Sequence, residues 1–207
     1  LIAMAGFRLP ERPDEAADRP AEHRSIAAVL RSHPRFALTL LGCMFFFLTH
    51  TISNTYMNAL VGKAGGTASA VGTSLAISAV LELPAMTLVS RLQKRFSPSF
   101  FLRFAAGAEV VKFLIFYLAR SMPLIYLGHC MQFFQFAVYA PATVYYVAAA
   151  LPERDQLKGQ SLIYVAGSGL GGALGNLLGG RLLDRSGIQA ALLLGTVSAA
   201  ASLLTFC

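Results

Sequence analysis

Glu82 stands in the middle of an apolar run, Leu75 to Ser90, with Pro84 two residues further on, and the run stops at Arg91, Lys94 and Arg95. An ionisable group inside so apolar a stretch is costly to bury, and it usually faces a bundle interior or a water-filled path. Ser74, Ser78 and Glu82 recur at four-residue steps, so on a helix they share one face. Other apolar stretches repeat the pattern. His50, Asn54 and Asn58 fall at i, i+4 and i+8, with Thr51 and Tyr56 nearby, and Glu109 and Lys112 lie one turn apart. His129, Gln132, Gln135, Tyr139, Thr143 and Tyr146 follow at threes and fours, and Gln160, Tyr164 and Ser168 form a fifth stripe. Such groups can hydrogen-bond a polar solute, and a carboxylate that gains and loses a cationic partner as helices move is a candidate proton carrier. Glu82 suits that role better than Glu109, which has Lys112 one turn away. The expected arrangement has Lys112 shared, with Glu109 holding it and Glu82 exchanging with it. Singly, each residue has a plain explanation: Ser and Thr bond the carbonyl one turn back, and His or Asn ties helices together. Five aligned stripes together imply a central solute pathway.

The elements that carry these stripes are membrane helices. Of 207 residues 56% are hydrophobic and 13% are charged, about half the charged share of a soluble domain. Mean hydropathy is +0.60. Six segments reach the roughly 20 apolar residues that a spanning helix needs: 36–60, 68–90, 99–119, 123–151, 160–183 and 188–206. The sixth offers only Thr196, Ser198, Ser202 and Thr205, and is expected at the periphery against lipid. Residues 1–35 mix charges and prolines and are expected to form a flexible loop, with Leu1 to Met4 ending an earlier apolar element. The expectation is an all-α membrane protein of six transmembrane helices. With residues 1–35 rich in Arg, Asp, Glu and Pro, no secretory signal is expected in this stretch. The net charge of +7 sits in clusters that orient a membrane protein, which argues against nucleic-acid binding. Cys43, Cys130 and Cys207 have no paired spacing and are expected to be inert, and no metal or cofactor is expected.

Lys and Arg divide unevenly between the two sides. Arg8, Arg12, Arg19, Arg24, Arg31, Arg35, Arg91, Lys94, Arg95, Arg154 and Lys158 fall on one side, and Lys63, Arg120, Arg181 and Arg185 on the other. The richer side faces the cytoplasm. Six crossings then leave both termini there, in a cell membrane, the bacterial inner membrane being the natural setting. Gly167, Gly171, Gly175 and Gly179 form a ladder of four-residue steps that lets a neighbouring backbone approach closely and helps a helix slide. An alternative reading takes Ser168, in Ala166-Gly167-Ser168-Gly169, as an intramembrane hydrolase nucleophile with His50 or His129 as base. It is disfavoured: the rhomboid pattern it resembles has Gly where Ala166 stands, and its His follows the Ser. A non-transporting solute receptor is the other alternative.

These features resemble the C-terminal half of a major facilitator superfamily transporter. Glu-Leu-Pro at 82–84 followed by Arg-Leu-Gln-Lys-Arg-Phe at 91–96 is similar to the group containing lactose permease and phenylpropionate permease-like proteins. So are Tyr146-Val-Ala, Gly159-Gln160, and Gly-Gly-Arg-Leu-Leu-Asp-Arg-Ser-Gly at 179–187. The resemblance implies one half of a fold that works by alternating access, a missing N-terminal six-helix half as partner, and a small solute such as a sugar, nucleoside or organic acid, with protons as a candidate coupling ion. It makes the chain a carrier and no enzyme. By position it aligns Glu82 with a substrate carboxylate, Lys112 with an arginine, and His129 with Gln132 to a His-x-x-Glu pair for proton handling. Lysine in place of arginine loses a bidentate fork, and Gln132 carries no proton, so coupling would pass to Glu82 or Glu109. Gly180-x-Leu182-x-Asp184-Arg185-x-Gly187 resembles a superfamily signature of a cytoplasmic loop, yet the charge count places it on the opposite side.

Overall fold

The computed structural model describes residues 25–207, and within them the chain is helical with turns and no strand. The expected loop over residues 1–24 lies outside the described residues. Ile26–Ser32, expected to belong to that loop, forms a short helix α1 whose first turn is capped by the Ser25 side chain. There follow α2 (Pro34–Thr55), α3 (Met57–Lys63), α4 (Ala68–Leu92), α5 (Pro98–Leu118), α6 (Met122–Cys130), α7 (Phe136–Ala150), α8 (Glu153–Tyr164), α9 (Gly172–Ser186) and α10 (Ile188–Phe206). Among the described residues, five stretches are long and apolar enough to cross a membrane: Pro34–Thr55, Ala68–Leu92, Met122–Ala150, Glu153–Ser186 and Ile188–Phe206. The helix between the second and third of these, α5, is as long at 21 residues but carries Arg103, Glu109 and Lys112. It packs against α6, α7 and α10.

Prolines at the first turns of α2, α5 and α6 begin helices where a missing N–H costs nothing. Three expected spans are less regular than the sequence suggests. The first divides at Tyr56, between α2 and α3. The fourth breaks into α6 and α7 across a 3₁₀ turn at Met131–Phe133, and Gln135, which opens α7, has the non-helical angles φ −99° and ψ −91°. The fifth starts earlier, at Glu153, and passes through a seven-residue π segment, Val165–Gly171, before α9. No proline causes the last two irregularities. Pro84 and Pro141 lie inside helices that continue through them.

Successive spans run antiparallel. At one end Lys63 Nζ and Gln189 Nε2 both donate to the Tyr117 carbonyl, at 3.2 and 3.5 Å. At the other, Ser32, Pro34, Pro98, Ser99, Ala149 and Ala150 border one cavity. The tightest seam joins α2 and α10. Ser202 Oγ donates to Gly42 O at 3.0 Å, and Thr49 Oγ1 donates across the seam to Gly195 O at 3.3 Å. Each hydroxyl thus meets a carbonyl beside a glycine, where the backbones come closest. α10 was expected at the periphery with a mostly lipid-facing surface, but small residues let it pack closely on α2 and α5, where Ala191, Leu192, Gly195 and Ala199 are buried. Only a narrow stripe with Leu193, Val197 and Leu204 is exposed.

The glycine ladder packs on α2. A Cβ at Gly175 would lie 2.6 Å from the Leu48 carbonyl oxygen, and one at Gly167 would lie 2.7 Å from the Phe47 ring. Gly171 meets the Met44 carbonyl and Gly179 the Tyr56 ring in the same way. Only a residue without a side chain fits against backbone oxygens so placed.

Candidate functional site

The break between α6 and α7 brings Gln132 and Gln135 beside Lys112, in the middle of the bundle. Lys112 Nζ donates to Gln132 Oε1 at 2.9 Å and to Gln135 Oε1 at 3.4 Å. Gln132 Nε2 in turn donates to Glu82 Oε1 at 2.8 Å. Lys112 is 1% exposed and also sits 5.8 Å from the centre of the Phe116 ring, one turn along α5. A cation–π contact of this kind helps hold an ammonium that has left water.

The expected sharing of Lys112 between two carboxylates is not what the fold builds. Among the described residues Lys112 has no ion pair with Glu109 or Glu82. A glutamine stands between Lys112 and Glu82, accepting from the cation and donating to the carboxylate. Glutamine can do both at once because its amide carries an acceptor oxygen and a donor nitrogen. Glu109 is fully buried, and neither of its oxygens has a hydrogen-bond partner. Lys112 still acts on it through space.

Other residues singled out in the sequence gather here. Ser78 Oγ lies 3.2 Å from His129 Nδ1, which ties α4 to α6. His50 stacks on Phe136 with ring centres 4.3 Å apart, and Asn54 Nδ2 lies 3.2 Å from His50 Nε2. Tyr139 stacks on Phe46 at 3.9 Å. So α2, α4, α5 and the α6–α7 break contribute to one cluster. The remaining candidates lie elsewhere. Asn58 is exposed on α3, Tyr164 is 71% exposed, and Gln160 Nε2 is turned to the Val144 carbonyl at 3.3 Å. The fifth stripe therefore leaves the cluster, because α8 and its π segment present glycines inward and carry Tyr164 outward. Ser168 makes no hydrogen bond to a histidine among the described residues; within the cluster the Ser–His contact joins Ser78 and His129.

This cluster concentrates the unpartnered buried polar side-chain atoms of the described residues; one other, Asp155 Oδ2 on α8, lies outside it, 3.8 Å from Arg154. His50 Nδ1, both oxygens of Glu109, His129 Nε2, Gln135 Nε2 and Tyr139 OH are buried and without a hydrogen-bond partner. An unpaired buried polar atom costs about 1–3 kcal/mol, so several in one place form a strong local preference for a polar guest. Phe46, Phe116 and Phe136, which supply the ring contacts, were not singled out in the sequence. Phe46 and Phe116 stand four residues from His50 and Lys112, a spacing that could have marked them.

Helices that span an apolar layer, around a central set of buried charged and amide groups, define a multi-pass membrane protein. The family described as MFS_1 like matches residues 3–194, and the chain belongs to it; this is a family of the major facilitator superfamily. Maltose permease of Geobacillus stearothermophilus is 28% identical over 183 residues, 88% of this chain and 46% of the relative. The uncharacterized transporter YwbF of Bacillus subtilis (strain 168) is 24% identical over 206 residues, 99% of this chain and 52% of the relative. The chain thus spans about half the length of the curated relatives it matches. No solved structure matches.

Proposed function

We propose that the full-length protein is a secondary transporter that moves a small polar organic solute by alternating access, with the Glu82–Gln132–Lys112 chain at the centre of its pathway. The observation that carries this reading is the group of unpartnered buried polar atoms around Lys112. A solute rich in hydroxyls would satisfy them, and a sugar fits that chemistry and the name of one relative. The second half of the carrier would cover α4, whose Val80 and Leu83 are 69% and 73% exposed on either side of Glu82. In this superfamily's architecture the solute site lies at the midplane between two halves. Protons are the proposed coupling ion, with Glu82 and Glu109 as carriers. The proposed setting is a bacterial cell membrane, with the end that bears Arg35, Arg91 and Arg154 in the cytoplasm.

Uptake of radiolabelled sugars, nucleosides and organic acids into vesicles carrying the full-length protein tests the reading. Accumulation of one class, lost when an uncoupler collapses the proton gradient, is the expected result. Saturable binding without flux would make the protein a receptor, and uncoupler-resistant equilibration would make it a facilitator.

A further inference from the structure

Away from the cluster, at the end of the bundle where α2 and α5 begin and α10 finishes, two cavities of about 510 and 400 Å³ adjoin and share Arg35, Ser99 and Tyr146 in their walls. The smaller one also takes in Thr39, Leu38 and Arg103. Two guanidinium groups from different helices thus border one space, and among the described residues no Asp or Glu side chain lines either cavity. Neither arginine has a hydrogen-bond or ion-pair partner among the described residues. Hydroxyls surround them: Thr39 Oγ1 and Tyr146 OH lie 2.8 Å apart, and Thr39 Oγ1 also reaches the Arg35 carbonyl at 3.0 Å.

We propose that this space holds the phosphate of an anionic phospholipid, with Arg35 and Arg103 gripping the headgroup and the acyl chains running down the adjoining outer faces of α2, α5 and α10. Arginine suits this role because its planar fork matches phosphate oxygens two at a time. Depth favours a lipid over a soluble anion. Arg35 sits in the first turn of α2, and Arg103 sits roughly 8 Å from the start of α5, at about 1.5 Å per residue. That interval is the headgroup and glycerol zone of a leaflet. Leu38 in the cavity wall and Leu204, next to Thr205 of that wall, are exposed apolar side chains. Basic pockets between membrane helices on the cytoplasmic side are suited to anionic headgroups, and this end is the one richer in Lys and Arg.

The test is native mass spectrometry of the full-length protein with phosphatidylglycerol, phosphatidylcholine or inorganic phosphate. Phosphatidylglycerol is expected to bind in preference to phosphatidylcholine. The pair Arg35→Gln with Arg103→Gln is expected to weaken it about thirtyfold, from about a factor of five per cation. Arg181→Gln with Arg185→Gln, which removes equal charge from the exposed face of α9, is expected to leave it unchanged. The proposal is overturned if the first pair keeps full phosphatidylglycerol binding, or if inorganic phosphate competes as well as the lipid. It is also overturned if removing residues 1–24, whose Glu11, Asp14, Glu15, Asp18 and Glu22 could reach the same arginines, is what creates lipid binding.

Discussion

Two polar regions of the bundle lie in the same low-dielectric layer and solve it in opposite ways. Along the α2–α10 seam, Thr49 and Ser202 bond carbonyls of the facing helix, and Thr196 and Thr205 bond carbonyls of their own. Around Lys112 the groups are larger, carry charge, and leave six buried atoms without partners. The seam is closed chemistry, with each hydroxyl spent on backbone. The cluster is open chemistry, and in the proposed function its unmet bonding capacity is what receives a solute. Polarity inside a membrane bundle therefore marks function only where it is left unsatisfied.

The largest effect expected from breaking that contrast comes from Lys112→Met. It strips Gln132 and Glu82 of their cation, and losing one partner of a buried charged network costs about 4 kcal/mol, roughly a thousandfold if it all falls on transport. Flux and membrane abundance measured together separate the two outcomes. Adding Glu82→Gln should restore abundance without restoring flux. If Lys112→Met transports normally, the cluster is structural and the contrast fails.

Gly175→Leu comes next. Its side chain would meet the Leu48 carbonyl, which cannot move without bending α2, so about 3 kcal/mol is lost as abundance of folded protein. Smaller again is Ser78→Ala, which removes the contact to His129 and is expected to lower flux about fivefold at unchanged abundance. Ser202→Ala sharpens the comparison from the other side. Losing one satisfied interhelical bond costs about 0.6 kcal/mol, visible as a small drop in melting temperature, and flux should stay intact. A flux defect in Ser202→Ala greater than that in Ser78→Ala would reverse the roles assigned to the two regions.

The helical class, and the convergence of Glu82, Lys112, His129 and Gln132 on one place, were legible in the sequence because period and polarity are local properties. The burial of α10 was not, because a plain stripe of small and apolar residues packs on protein as readily as on lipid. What stayed hidden depends on irregular backbone. Nothing in Met131–Phe133 announces a 3₁₀ turn, yet that break swings Gln132 and Gln135 towards Lys112 and puts an amide where an ion pair was expected. Gln160 and Tyr164 share a stripe with Ser168 on a regular helix, but the π segment after Tyr164 dissolves that facing.

The same π segment settles an angular problem. A regular helix turns 100° per residue, so each four-residue step overshoots a full circle by about 40°. A ladder from Gly167 to Gly179 would drift about 120° and lose α2 before its end. Wider i→i+5 turns undershoot instead. The one step inside Val165–Gly171, from Gly167 to Gly171, offsets about one of the two later overshoots, so the drift shrinks and all four glycines still meet α2. The bulge is a phase corrector, and its removal would rotate α9 about its own axis, carrying Asn176 off the Thr55 hydroxyl that it now holds.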